Sequence, residues 1–208
     1  MSLTARAVVV GAGIGGLSAA IALSRAGCEV VLVERDDTPM PPDVEGAFAW
    51  DRRGAPQVRH THGFPALIRV LLRDRYPDVL RSLLDAGVTE VSVVPPSLPA
   101  DSPDYARHAE DLQVLSCRRT TLEWVLRRCA LAEPNVELRV GVGVAGLLAD
   151  ASTTPLSVRG VHLDDGSSID ADLVVASSGR RCDVPAWFAA HGVGIEGVEQ
   201  PPGTLYLS

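Results

Sequence analysis

The 208-residue sequence contains no Cys-x-x-Cys pair; its four cysteines, Cys28, Cys117, Cys129 and Cys182, are scattered. That spacing argues against a zinc site and a disulfide framework, and fits reduced thiols. An excess of basic side chains is missing too. With 19 Lys and Arg against 26 Asp and Glu, the formal net charge is -7. A nucleic-acid backbone is therefore excluded as the main partner, because such binding rests on grouped cations. No apolar stretch approaches the roughly 20 residues of a membrane span, and the amino terminus lacks the basic region and cleavage site of a secretory signal. No segment repeats at the roughly 20 to 50 residue period of solenoids or propellers. The expectation is a cytoplasmic protein with a small-molecule partner. What is present is 46% hydrophobic residues, enough for one globular domain with a sizeable core.

The clearest pattern is "VVVGAGIGGLSAAIALSRAGCEVVLVER", residues 8 to 35. Ala7 to Val10 form a short, mostly β-branched run, as expected of a strand buried on both faces. Gly11, Gly13 and Gly16 then make G-x-G-x-x-G. The first glycine permits a tight turn, the second lets backbone approach a pyrophosphate, and the third lets helix and strand pack closely. From Ile14 to Ala26, Leu17, Ala20, Ile21 and Leu23 fit a helix, with Gly27 placed to end it. The free N–H groups and dipole at the start of that helix favour a phosphate. A second apolar run, Val30 to Val33, stops at Glu34. A carboxylate at that strand end can accept hydrogen bonds from an adenosine ribose and would repel a 2'-phosphate, so NADP is disfavoured at this site.

Residues 38 to 63 carry Pro39, Pro41, Pro42 and Pro56 and read as a long loop. Leu67, Ile68, Leu71 and Leu72 have helical spacing, and Pro77-Asp78 can open another helix that stops at Gly87. Residues 88 to 116 read as mixed, with an extended proline-rich connector. In "CRRTTLEWVLRRCA", Thr120 and Glu123 have capping-box spacing, which places Arg118 and Arg119 just before a helix start. "VELRVGVGVAGLLAD", "LSVRGVHLDD" and "ADLVVASSG" read as strands, with a hairpin turn at Asp165-Gly166. His60 and His62 share one face of an extended chain, but no third ligand is evident nearby, so a metal is not expected.

Together these blocks resemble the FAD-binding domain of the p-hydroxybenzoate hydroxylase-like flavoprotein monooxygenases and the related geranylgeranyl reductase-like enzymes. The resemblance covers nearly all of residues 5 to 208. It implies an α/β, Rossmann-like fold in which a parallel sheet with helices carries an added antiparallel β-meander. Gly11, Gly13 and Gly16 would face the FAD pyrophosphate and Glu34 its adenosine ribose, with Arg35 beside that ribose and the adenine. "RRTTLE" is similar to the family's arginine three residues before a helix leucine, which places Arg119 at the cofactor. "ADLVVASSGRRCDVPAW" is similar to the second fingerprint; Gly179 matches, but Ser178 stands where the hydroxylase pattern has aspartate. "RRGAPQVRHTHGF" is like a loop found near the flavin in some bacterial members. At Val144 the family holds adenine with backbone.

Family members continue through a substrate sheet and a third fingerprint, whereas this sequence ends at "PPGTLYLS". The expectation is an FAD-binding domain over residues 1 to 200, the start of a substrate-binding sheet over 201 to 208, and a substrate domain largely missing. FAD is the implied cofactor and NAD(P)H the implied external reductant of the complete enzyme. A small-molecule substrate and a complementing carboxy-terminal chain are the implied partners. The alternatives are a non-catalytic, truncated or split-gene product that still binds FAD, and an alkene-reducing or halogenating flavoprotein. No catalytic side chain is singled out.

Overall fold

Strand β1 (Arg6–Val10) lies between two parallel neighbours, β2 (Glu29–Glu34) and β10 (Leu173–Ala176), and β2 continues the sheet to β6 (Val136–Val140). The computed structural model describes residues 4–52, 61–93, 102–179 and 183–195. Alternation along the strands divides the core. Val9, Val30 and Leu32 face one side and Val8, Val10, Val31 and Val33 the other, as the two-residue period of a strand requires.

On the first side pack α1 (Ile14–Arg25) and α6 (Arg119–Ala132), with α4 (Pro77–Asp85) behind them. Leu17, Leu83 and Leu122 are almost wholly removed from water there, each burial stabilising by about 1.5–3 kcal/mol. The other side is covered by an antiparallel meander, β7 (Val144–Asp150), β8 (Ser157–Leu163) and β9 (Ser168–Asp170), together with the short helix α7 (Val184–Ala189). Helix, parallel sheet and meander therefore form three layers, which is the α/β arrangement expected. Gly27, at φ +91, ends α1, and Gly166, at φ +87, supplies the β8 to β9 turn.

Three segments differ from the sequence reading. The long loop contains a helical turn, α2 (Val44–Phe48), held by Asp43 accepting from the Gly46 N–H at 2.8 Å; one turn is too short to show a period. Residues 88 to 116 contain β4 (Thr89–Ser92), α5 (Pro103–His108) and most of β5 (Gln113–Arg118). With β3 (Thr61–Phe64), these strands form a second antiparallel sheet in the order β3-β5-β4. Every residue of β4 is exposed, so no buried face marks it in the sequence. The helix α3 (Ala66–Arg75) falls where expected.

The capping box at Thr120 does not form. Strand β5 runs directly into α6, Arg118 is the N-cap, and Arg119 is the first helical residue rather than a residue before the helix. The Thr120 hydroxyl is buried without a partner among the described residues. Glu123 is instead drawn to Arg52 at 2.6 Å, a charge-assisted bond that is stronger than a neutral cap.

Cys117, on β5, is half-buried, and that burial pushes its thiol up to about 11. At pH 8 about 0.1% would be thiolate, so its alkylation by iodoacetamide should run on the order of 100-fold slower than that of free cysteine. Peptide mapping over a time course measures this, and a rate within threefold of free cysteine would contradict it. Cys182 lies outside the described residues. Among those residues no helix is long and apolar enough to cross a membrane.

Candidate functional site

The chain steps from β1 to β2 and on to β6 in one direction, and returns on the other side of β1 as β10. Loops leaving the carboxyl ends of strands at such a reversal diverge and leave a crevice between them, where ligands of open α/β sheets bind. Here a cavity of about 230 Å³ lies between the loops that follow β1, β2 and β10. Gly11, Gly13, Glu34, Arg35, Arg119, Val144 and Gly179, which the sequence places at a cofactor, all line it. Gly16 does not.

The three fingerprint glycines have separate tasks. Gly11 sits at φ +97, and a methyl group there would lie 2.8 Å from the Ser177 carbonyl oxygen, so this glycine lets the loops after β1 and β10 touch. A methyl on Gly16 would overlap the Gly11 carbonyl, so Gly16 holds α1 against the turn. Gly13 differs: its φ is -80 and nothing lies within 4 Å of an added Cβ. Gly13 is also among the residues that line the cavity. Helix α1 begins here with no side-chain cap and no acidic residue in its first turn, so no side chain of that turn answers its N–H donors and positive dipole end.

Glu34 is more engaged than the sequence suggests. Its Oε2 accepts from the Ala12 N–H at 2.9 Å and from Arg52 Nη2 at 3.1 Å, and its Oε1 accepts from the Asp36 N–H at 2.9 Å. The carboxylate thereby ties the glycine turn to the end of β2. Arg52 is a component that sequence reasoning missed. It is 4% exposed and gives one nitrogen to each of three carboxylates: Nε to Glu123 at 2.6 Å, Nη1 to Asp36 at 2.8 Å and Nη2 to Glu34. Only a planar guanidinium offers that fork, and every basic side chain of this chain other than its histidines is arginine. Burial works against the charge on Arg52, but Glu123 and Glu34 outweigh it and hold the group above its ordinary value. Arg127 lies on the same Trp50 ring, 5.2 Å from its centroid against 5.1 Å for Arg52; burial first, and then Arg52, lowers its pKa. The sequence sign of this cluster is the opening of "RRGAPQVRHTHGF", quoted above for its likeness to a loop near the flavin but with no role given to Arg52.

The remaining wall comes from the meander. Glu34 pairs with Val140 at the end of β6, Gly141 turns the chain at φ +74, and β7 opens beside Glu34 at Val144. Asp164, also unanticipated, accepts from the Gly143 N–H at 3.0 Å and lines the same wall. Arg119 also lines the cavity, and its Nε is buried with no partner among the described residues. His60 lies outside the described residues. His62 is on β3, stacked on Phe64 with ring centroids 5.9 Å apart, and does not line the cavity.

Residues 9–83 match the family described as NAD(P)-binding Rossmann-like domain. Protein Rv3254 of Mycobacterium tuberculosis (strain ATCC 25618 / H37Rv) is 30% identical over 202 residues, which cover 89% of this chain and 40% of that protein. Among solved structures, 2-methyl-3-hydroxypyridine-5-carboxylic acid oxygenase superposes with a TM-score of 0.57 at 23% identity, covering 90% of this chain and 43% of that one. PqsL, a probable FAD-dependent monooxygenase from Pseudomonas aeruginosa, gives 0.60 at 18% identity, covering 95% and 48%. The chain thus spans less than half the length of these relatives. The resemblance read from the motifs is borne out as a fold: Rossmann-like sheet, helices and meander are shared with these oxygenases.

Proposed function

We propose that this chain is the adenine-dinucleotide-binding part of an FAD-dependent oxidoreductase of the monooxygenase type. The observation that carries the reading is the cavity at the strand-order reversal, where an open glycine face, an uncapped helix start and a strand-end carboxylate converge. The residues fit the group: the space beyond Gly13 and the orphaned Arg119 Nε are what a pyrophosphate would fill and satisfy. In this reading Gly13 and the first turn of α1 hold the phosphates, Glu34 orients the adenosine ribose, and Val144 and Arg35 border the adenine. Gly11 and Gly16 shape the turn, and Gly179 lets the loop after β10 close on the cofactor. Bound FAD supplies the redox chemistry, with NAD(P)H as the reductant of the whole protein and a small molecule as its substrate.

Flavin fluorescence of FAD titrated with the protein tests this. ADP should displace FAD and FMN should not, since the cavity takes the adenosine diphosphate part. FMN competing as well as ADP would overturn the reading. Arg119→Ala should weaken FAD binding by about 1–3 kcal/mol, the range of a hydrogen bond to a charged group. Unchanged affinity would show that Arg119 serves the fold alone.

A further inference from the structure

The cavity poses an electrostatic difficulty. It brings Glu34 to the edge of a space that, in the function proposed above, holds a doubly negative pyrophosphate, while Glu123 and Asp164 line the same cavity. A bare carboxylate there would repel the ligand it is meant to orient, and a freely rotating one would orient nothing. Arg52 answers both problems. It is enclosed to 4% exposure and its ends are fixed on Asp36 and Glu123 at 2.8 and 2.6 Å, so the Nη2 it offers Glu34 is held from two sides. A carboxylate accepts at about four positions. Three are filled, by Ala12 N–H, Asp36 N–H and Arg52, which fixes the plane of the group and leaves its remaining acceptor capacity on Oε1.

We infer that Arg52 is a positioning residue for ribose recognition: it locks the Glu34 carboxylate in the orientation that receives a ribose hydroxyl and offsets its charge beside the phosphates. The inference rests on the dinucleotide reading but extends it, because Arg52 acts through Glu34 and through a buried anchor on α6.

ADP and 2'-deoxy-ADP are suitable probes, differing by the hydroxyl at issue. The wild-type chain should prefer ADP by about tenfold, as one charge-assisted hydrogen bond implies. Arg52→Lys keeps the charge but cannot reach three carboxylates, so the preference should shrink to within about twofold. Arg69→Lys disturbs another buried arginine, paired with Glu90 at 2.7 Å and away from the cavity, and should retain the wild-type preference even where stability drops. Full discrimination in folded Arg52→Lys would overturn the role of Arg52, as would equal loss in both variants, which is what a merely structural role predicts. If Arg52→Lys does not fold, Arg52→Gln combined with Glu123→Gln, which removes the guanidinium and one buried carboxylate together, is read against the same two outcomes. Equal binding of the two probes by the wild-type chain would overturn ribose recognition by Glu34 and this inference with it, while absence of ADP binding would overturn the proposed function itself.

Discussion

Gly13→Val should abolish dinucleotide binding while leaving a folded protein. Gly13 has a backbone conformation open to any residue, and no atom lies within 4 Å of an added Cβ. The fold therefore loses only the difference between glycine and valine at a helix start, about 1 kcal/mol. That is a melting shift of roughly 2–4 °C for a chain of this size. The space the valine enters is the one assigned to the pyrophosphate, so FAD affinity should fall on the order of 100-fold or more, equivalent to ~2.8 kcal/mol. Gly16→Val supplies the contrast within one motif, since its side chain would overlap the Gly11 carbonyl and no folded protein is expected. Comparable FAD affinity in folded Gly13→Val would place the ligand elsewhere.

Arg52→Met should cost about 3–5 kcal/mol of stability, because removing one member of a buried ion cluster leaves its partners uncompensated. The partners here are Glu34, Asp36 and Glu123, with side chains 12%, 4% and 1% exposed. Arg127, over the same Trp50 ring, does not take over, as its Nε and Nη2 find no acceptor among the described residues. The intact cluster need not add much stability by itself, since desolvating three carboxylates and a guanidinium opposes their attraction. Thermal unfolding should show a drop of roughly 6–20 °C, and a shift below about 2 °C would mean that the cluster relaxes or hydrates without Arg52.

These two expectations differ in how far the sequence announces them. The glycine turn, α1 and the two strands beside it are legible because each obeys a local rule: β-branched runs for buried parallel strands, a 3.6-residue period, and glycine where backbone must turn or approach closely. From them follow Gly11, Gly13, Glu34 and the position of the cavity. Arg119, Val144 and Gly179 came from likeness to a family, and the fold brings them to the same space. Arg52, Glu123 and Asp164 were not legible. The arginine lies 71 positions from Glu123 and 18 from Glu34, and long-range ion pairing leaves no period in a sequence. Glu123 was misread for a related reason: its spacing from Thr120 satisfies a local capping rule, but the tertiary partner is charged and wins. Strand β4 escaped because it has no buried face.

The most direct test of the central claim, that this cavity holds FAD by its adenosine end, is calorimetric titration of the chain with FAD, NAD and NADP under one set of conditions. FAD is expected to bind most tightly. NADP should bind at least tenfold more weakly than NAD, because its 2'-phosphate would meet a Glu34 whose charge Arg52 must share with Asp36 and Glu123. NADP binding as tightly as FAD, or more tightly, would contradict the account.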